Sequence, residues 1–233
     1  MDHHFTKEEF LRYSRLKPCN LAAAEVEFSR LPMLCSQDLA FVPFLRQPER
    51  AGIVLRDQRV SLEAGINGEE WLEAAVENER NRIPVLKSLP GLLREMMEPG
   101  VEDIPPEVSL YYFAYEDMPY GSTVLLNQRA LDAAAESLGR KKLTLLPSST
   151  HELLIAPEAI SPEELQATVY EVNRMGVVTP ADKLSDCIYR YDPMTKEMER
   201  FDGICWQADV MEKKYARDQG FERKRPDDHE LEF

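Results

Sequence analysis

Ser148, Ser149, His151 and Glu152 fall within five positions of one another in the run Leu-Leu-Pro-Ser-Ser-Thr-His-Glu (145–152). A hydroxyl, an imidazole and a carboxylate are the side-chain types a serine hydrolase uses as nucleophile, general base and orienting acid. His151 is also the one histidine away from the two ends of the sequence. The spacing argues for a plainer use. Residues 149 and 151 share a face only where the chain is extended, and such triads are normally assembled from distant segments. No Gly-x-Ser-x-Gly elbow and no Gly-rich oxyanion loop lies nearby. The competing reading is a strand–turn–strand in which Ser148, Ser149 and Thr150 satisfy turn backbone groups and His151 bonds a carbonyl or carboxylate. The residues favour that reading. Ser148, Ser149, His151 and Glu152 are the candidates for catalysis, and no working catalytic set is expected from them.

Other chemistries find less support. Cys19, Cys35, Cys187 and Cys205 are widely spaced and form no Cys-x-x-Cys pair, so no zinc site is expected and free thiols of a reducing compartment are. The ten glycines are scattered, with no phosphate-cradling loop. His3-His4 sits at a terminus, a poor cage for a metal. No metal and no cofactor are expected. The aromatic run 111–115 suits a half-buried strand better than a stacking platform. Leu92, Leu93, Met96 and Met97 suit core packing better than a partner groove.

Charge is the strongest global signal. Twenty-eight Lys and Arg stand against 42 Asp and Glu, a net charge of −14. Such a surface repels nucleic-acid phosphates, so direct nucleic-acid binding is not expected. The imbalance is local as well. Between Arg94 and Arg129 there is no basic residue, while Glu95, Glu98, Glu102, Asp103, Glu107, Glu116 and Asp117 all fall there. A second stretch carries Glu152, Glu158, Glu163, Glu164 and Glu171 before Arg174. A solvated acidic face is the plain reading. The sharper one makes Glu95, Glu98, Glu102, Asp103, Glu107, Glu116, Asp117, Glu158, Glu163 and Glu164 a surface for a basic protein partner, or an acidic mimic of nucleic acid.

The elements that position these residues announce themselves by their caps. Thr6-Lys-Glu-Glu9 is a capping box with Phe5 and Phe10 as a hydrophobic staple; Asn67-Gly-Glu-Glu70 repeats it with Ile66 and Trp71, and Ser161-Pro-Glu-Glu164 with Ile160 and Leu165. Thr179-Pro-Ala-Asp182 looks like a shorter version. Helices are expected over 6–15, 22–30, 68–81, 86–97, from 127 or 128 to a stop at Gly139, from 161 onward, and over 206–218. Strands are expected over 39–45, 52–56, 108–115, 122–126, 143–146 and 153–156, with a hairpin of 187–191 and 198–201. The order is not a regular alternation of strand and helix. It predicts an α+β fold, a mostly antiparallel mixed sheet with packed helices and repeated strand-strand-helix units. The Pro- and acid-rich segment 98–107 reads as a linker between an N-terminal part (1–97) and a C-terminal part (108–203), with a helix and charged tail over 204–233. No apolar run is long enough to cross a bilayer, and the polar, acidic N-terminus does not read as a secretory signal, so a bacterial-type cytoplasm is the expected compartment.

Several of these segments carry a likeness. Gly-Ile-Val-Leu-Arg-Asp (52–57), Gly-Ile-Asn-Gly-Glu-Glu-Trp-Leu-Glu-Ala-Ala-Val-Glu-Asn (65–78), Ser-Thr-Val-Leu-Leu (122–126), Leu-Leu-Pro-Ser-Ser-Thr-His-Glu (145–152), Glu-Val-Asn (171–173) and Leu-Ser-Asp with Tyr-Arg-Tyr-Asp (184–192) resemble the bacterial family catalogued as domain of unknown function 5688, frequent in gut clostridia. The likeness covers roughly 39–192, and the Pro-Ser-Ser-x-His-Glu tip is its most specific element. The N-terminal part looks shortened against the family, and the stretch after 201 looks added. The resemblance implies a lineage and a compartment, and no reaction. The expected function is therefore that of a non-catalytic interaction protein with an acidic surface. An acidic nucleic-acid mimic from a phage or mobile element, and a hydrolase built on the tip, are the alternatives.

Overall fold

The computed structural model describes residues 5–46, 54–55, 61, 64–96, 109–115, 120–176, 178–202, 205–207 and 211–214. It is an α+β fold of two antiparallel sheets. The chain opens with α1 (Lys7–Tyr13), β1 (Ser14–Asn20), α2 (Leu21–Glu27), β2 (Met33–Ser36), β3 (Leu39–Arg46) and β4 (Val54–Leu55). Then come α3 (Gly68–Arg80), β5 (Val85–Ser88), α4 (Leu89–Met96), β6 (Tyr111–Ala114), a 3-10 helix (Gly121–Leu126) and α5 (Gln128–Ser137). The rest is β7 (Leu143–Leu146), β8 (Leu153–Ile155), α6 (Pro162–Arg174), β9 (Tyr189–Asp192), β10 (Glu197–Arg200), β11 (Cys205–Gln207) and β12 (Glu212–Lys214).

The first sheet runs β1-β3-β2-β12, with β4 also on β3. Because β1 pairs with β3 over its whole length, from Ser14↔Leu45 to Asn20↔Leu39, β2 and β4 must share the opposite edge of β3. Pro43 falls in the gap between them, where its missing N–H breaks no ladder bond to either strand. The second sheet runs β11-β10-β9-β7-β8-β6-β5. One apolar cluster spans both sheets: Leu16, Leu34, Leu39 and Phe41 of the first, α3's Leu72 and Ala75, and Phe113, Leu143, Leu145, Leu153, Ile155 and Tyr191 of the second. The other face of the first sheet packs Ala40 and Val42 on Phe10, Ala24 and Phe28, with Trp71 edge-on to Phe10 at 5.3 Å between ring centres. The outer face of the second sheet is part covered by α6, through Leu165 and Val169 on Leu146, Ala156 and Ile188.

Helix starts follow their caps. The Thr6 and Ser161 boxes close in both directions, and Asn67 accepts from the Glu70 N–H. Gly139 takes the left-handed conformation (φ 65°) that ends α5. Four expectations are corrected. Residues 122–126 form a buried 3-10 helix and no strand, because this segment is wedged between α3, β6 and β8 and closes its own i→i+3 bonds. The expected helix over 206–218 is replaced, in its described part, by β11 and β12, which complete the edges of the two sheets. The helix over 6–15 ends at Tyr13, and residues 14–20 pair with β3 instead. Residues 85–88 are a strand before α4 begins. Segment 98–107 lies outside the described residues. It does not separate two sheets, since β5 and β6 on either side of it pair directly, and β12 returns to pair with β2. His3-His4 and the charged stretch from 215 onward also lie outside. Among the described residues, no helix is long and apolar enough to cross a membrane.

Candidate functional site

β7 and β8 pair as Leu145↔Ile155 and Leu146↔Leu154, so residues 147–152 form the turn between them. The turn is clamped from outside. Ser148 O accepts from Leu184 N (3.0 Å), Thr150 N donates to Asp182 O (2.8 Å), and Ser149 bridges Lys183. Thr150 O accepts from the Ser122 hydroxyl at 2.9 Å. Beneath it the chain passes so close at Gly121 that a Cβ there would stand 2.2 Å from His151 O and 2.7 Å from Ala114 Cβ. Only glycine fits that approach.

The tip side chains follow from this frame. Ser149 is 4% exposed; its hydroxyl accepts from the His151 N–H at 3.0 Å and hydrogen-bonds the Glu152 carboxyl. That is the work of a turn hydroxyl, and a buried oxygen so engaged offers no approach to a substrate. The exposed imidazole of His151 turns to a different carboxylate, with Nε2 3.3 Å from Asp182 Oδ1. Asp182 is also held by the Thr179 hydroxyl at 2.7 Å and by Thr150 at 3.4 Å. The Thr179 bond, aided by His151, holds the Asp182 carboxyl below its ordinary range against the opposing effect of burial. Glu152 moves the other way: burial raises it, with His151 and Ser149 opposing. Sequence spacing pairs Ser149 with His151 and Glu152; the structure pairs Ser149 with Glu152 and His151 with Asp182. Thr179-Pro-Ala-Asp182, expected as a short helix start, is the turn that supplies this carboxylate.

The acidic candidates separate. Glu98, Glu102, Asp103, Glu107, Glu116 and Asp117 lie outside the described residues. Glu95 is ion-paired with Lys87 at 3.0 Å, beside the edge strand β5. Glu158, Glu163 and Glu164 are exposed at the start of α6, and β7, β9 and β10 underlie that helix's first turn. β8 and β6 stand between the two places in the sheet. Phe113 and Tyr115 of the aromatic run are core, while Arg140 lies 5.5 Å over the Tyr111 ring. Cys19, Cys35 and Cys187 are free thiols, and burial pushes Cys35 up to about 11, away from reactivity. Among the described residues no group of His, Cys, Asp and Glu could hold a metal.

Two constellations had no motif to announce them. Asp38, in the β2–β3 turn after Gln37 (φ 54°), accepts from Ser185 Oγ at 2.5 Å and from the Tyr189 hydroxyl, with Arg200 Nη1 3.6 Å away. Elsewhere, a half-open cleft of about 190 Å³ lies between the first turn of α6 and the outer face of the second sheet. Thr144, Pro162, Glu163, Ile188, Arg190 and Phe201 are among its walls, and no tip residue is. The signal for it was the alternation Tyr189-Arg190-Tyr191, which sends both tyrosines inward and the arginine out.

No curated protein and no solved structure matches this chain. A family model described as a family of unknown function, DUF5688, matches residues 16–193. That span runs from within β1 to just past β9 and contains the whole clamped tip, and the chain belongs to this family.

Proposed function

We propose that this protein is a non-catalytic interaction module that offers an acidic surface to a basic protein partner. The observation that carries the reading is the outer face of α6. Glu163, Glu164 and Glu171 are exposed on it, Glu158 is exposed just before it, and Tyr170 and Met175 stand out beside them at 49% and 74% exposure. Exposed carboxylates around uncovered apolar side chains are the composition of a partner-binding surface with a charged rim. The net charge of −14 adds long-range attraction for a cationic partner. The engaged, buried hydroxyl of Ser149, and the backbone bonds from Ser148 and Thr150 to the 182–184 segment, support a structural part for the tip in this reading.

The test is affinity purification from native host lysate, run in parallel with the chain carrying Glu163→Lys, Glu164→Lys and Glu171→Lys. A basic protein retained by the parent chain, released by salt and lost with the triple substitution supports the proposal. Reproducible small-molecule turnover by the pure protein, abolished by Ser149→Ala, overturns it in favour of the hydrolase.

A further inference from the structure

The cleft beside α6 holds charges that the described protein does not answer. Arg190 and Glu199 stand directly opposite each other across the β9–β10 ladder, and Thr144 is next to Arg190 in the same row on β7. Opposed side chains of opposite sign at such positions commonly pair. Here Arg190, Glu199 and Glu163 all line the cleft, and none of the three side chains makes a hydrogen bond or ion pair with another described residue. Neighbouring cations are committed: Lys142 to Asp192, Lys196 to Asp132, Arg200 to Asp202.

Charged groups in the wall of a cavity keep their water unless a ligand brings matching charges. Two carboxylates and one guanidinium ask for two cationic groups and one carboxylate on the same molecule. The space, about 190 Å³, lies below the roughly 300–1,000 Å³ of sites for drug-sized ligands, which sets the occupant at the size of one amino acid. A phosphate or other dianion is repelled by Glu163 and Glu199. Ile188 and Phe201 add an apolar wall suited to an aliphatic stem. We propose that this cleft binds a free basic amino acid, lysine or arginine, with its carboxylate on Arg190 and its two cationic groups on Glu163 and Glu199. The proposal does not rest on the interaction reading, although both use Glu163: the ligand comparisons below are made on the unaltered protein with no partner present, so each can fail without the other.

Isothermal titration of the full chain with L-lysine tests it. The expected result is saturable one-to-one binding. Cadaverine, which lacks the carboxylate, and norleucine, which lacks the second amine, should each bind at least about tenfold more weakly. Arg190→Gln should erase the difference between lysine and cadaverine, and Glu199→Gln should reduce that between lysine and norleucine. Silence of both lysine and arginine at about 10 mM overturns the proposal. So does cadaverine binding as tightly as lysine, a comparison made on the unaltered protein and therefore independent of how any variant folds.

Discussion

Asp38 and Tyr189, 151 positions apart, are hydrogen-bonded side chain to side chain across the junction of the two sheets. The carboxylate belongs to a hairpin turn of the first sheet and the phenol to the middle of the second. Burial beside the Asp38 charge drives the Tyr189 hydroxyl well above its ordinary value of 10, and Tyr191, bonded to Asp132 at 2.8 Å, is raised too. A raised folded-state value means that these bonds stabilise fully below pH 10 and that their contribution is lost as pH rises beyond it. Tyr189→Phe should cost about 1.5–3 kcal/mol at neutral pH, read from urea unfolding. The Tyr189→Phe, Tyr191→Phe pair should lose less stability than the parent between about pH 9 and pH 11.

Glu79 is fully buried on α3 and makes its ion pair with Arg82 at 2.6 Å. Its oxygens also accept from Thr123 Oγ1 (3.0 Å) and Leu16 N (3.3 Å), while Arg82 lies 3.8 Å over the Tyr115 ring. Removing the guanidinium leaves a carboxylate in the core with only neutral donors among the described residues. Arg82→Ala should therefore destabilise by about 3–5 kcal/mol, whereas adding Glu79→Gln to it should recover part of the loss. Chemical denaturation of the two variants separates these outcomes.

Glu152 gives the opposite sign. Its carboxyl is raised above an ordinary value of 4.5 by burial, so the charged form strains the fold at neutral pH and the strain disappears as pH falls below that value. Glu152→Gln should raise the melting temperature at pH 7, and the gain should shrink towards zero near pH 4.

Gly121→Ala should be costly for a residue with an ordinary backbone angle. The added methyl meets a carbonyl oxygen and the backbone N of Tyr115, neither of which is a flexible side-chain end. Displacement of the 3-10 helix by the tip should cost about 1–3 kcal/mol. Hydrogen exchange should show lost protection at Thr150 and Ser122, while an unchanged melting temperature would contradict the close approach.

What could be read from the sequence was what is local. The boxes at Thr6 and Ser161 and the stop at Gly139 depend on residues three or four positions apart, and they form as read. What escaped depends on the third dimension. Ser14–Asn20 carries Lys17-Pro18, which reads as a helix stop, yet Pro18 is tolerated because β1 is an edge strand. The Ser-Thr-Val-Leu-Leu run has strand-forming residues but is bent into a 3-10 turn by the packing of Gly121 on His151. Asp182 could not be matched to His151 from spacing, since 31 positions of chain separate them.

Among the described residues, three strands lie past residue 193, where the family match ends. β10 covers the flank of β9 and seats Met198 in the central cluster, and β12 covers β2. Before residue 16, Phe10 packs on Trp71. A fragment trimmed to 16–193 would thus carry two raw strand margins and a hole under an indole, inviting self-adhesion. The span that the family model matches is smaller than the set of strands and packed side chains that closes these two sheets.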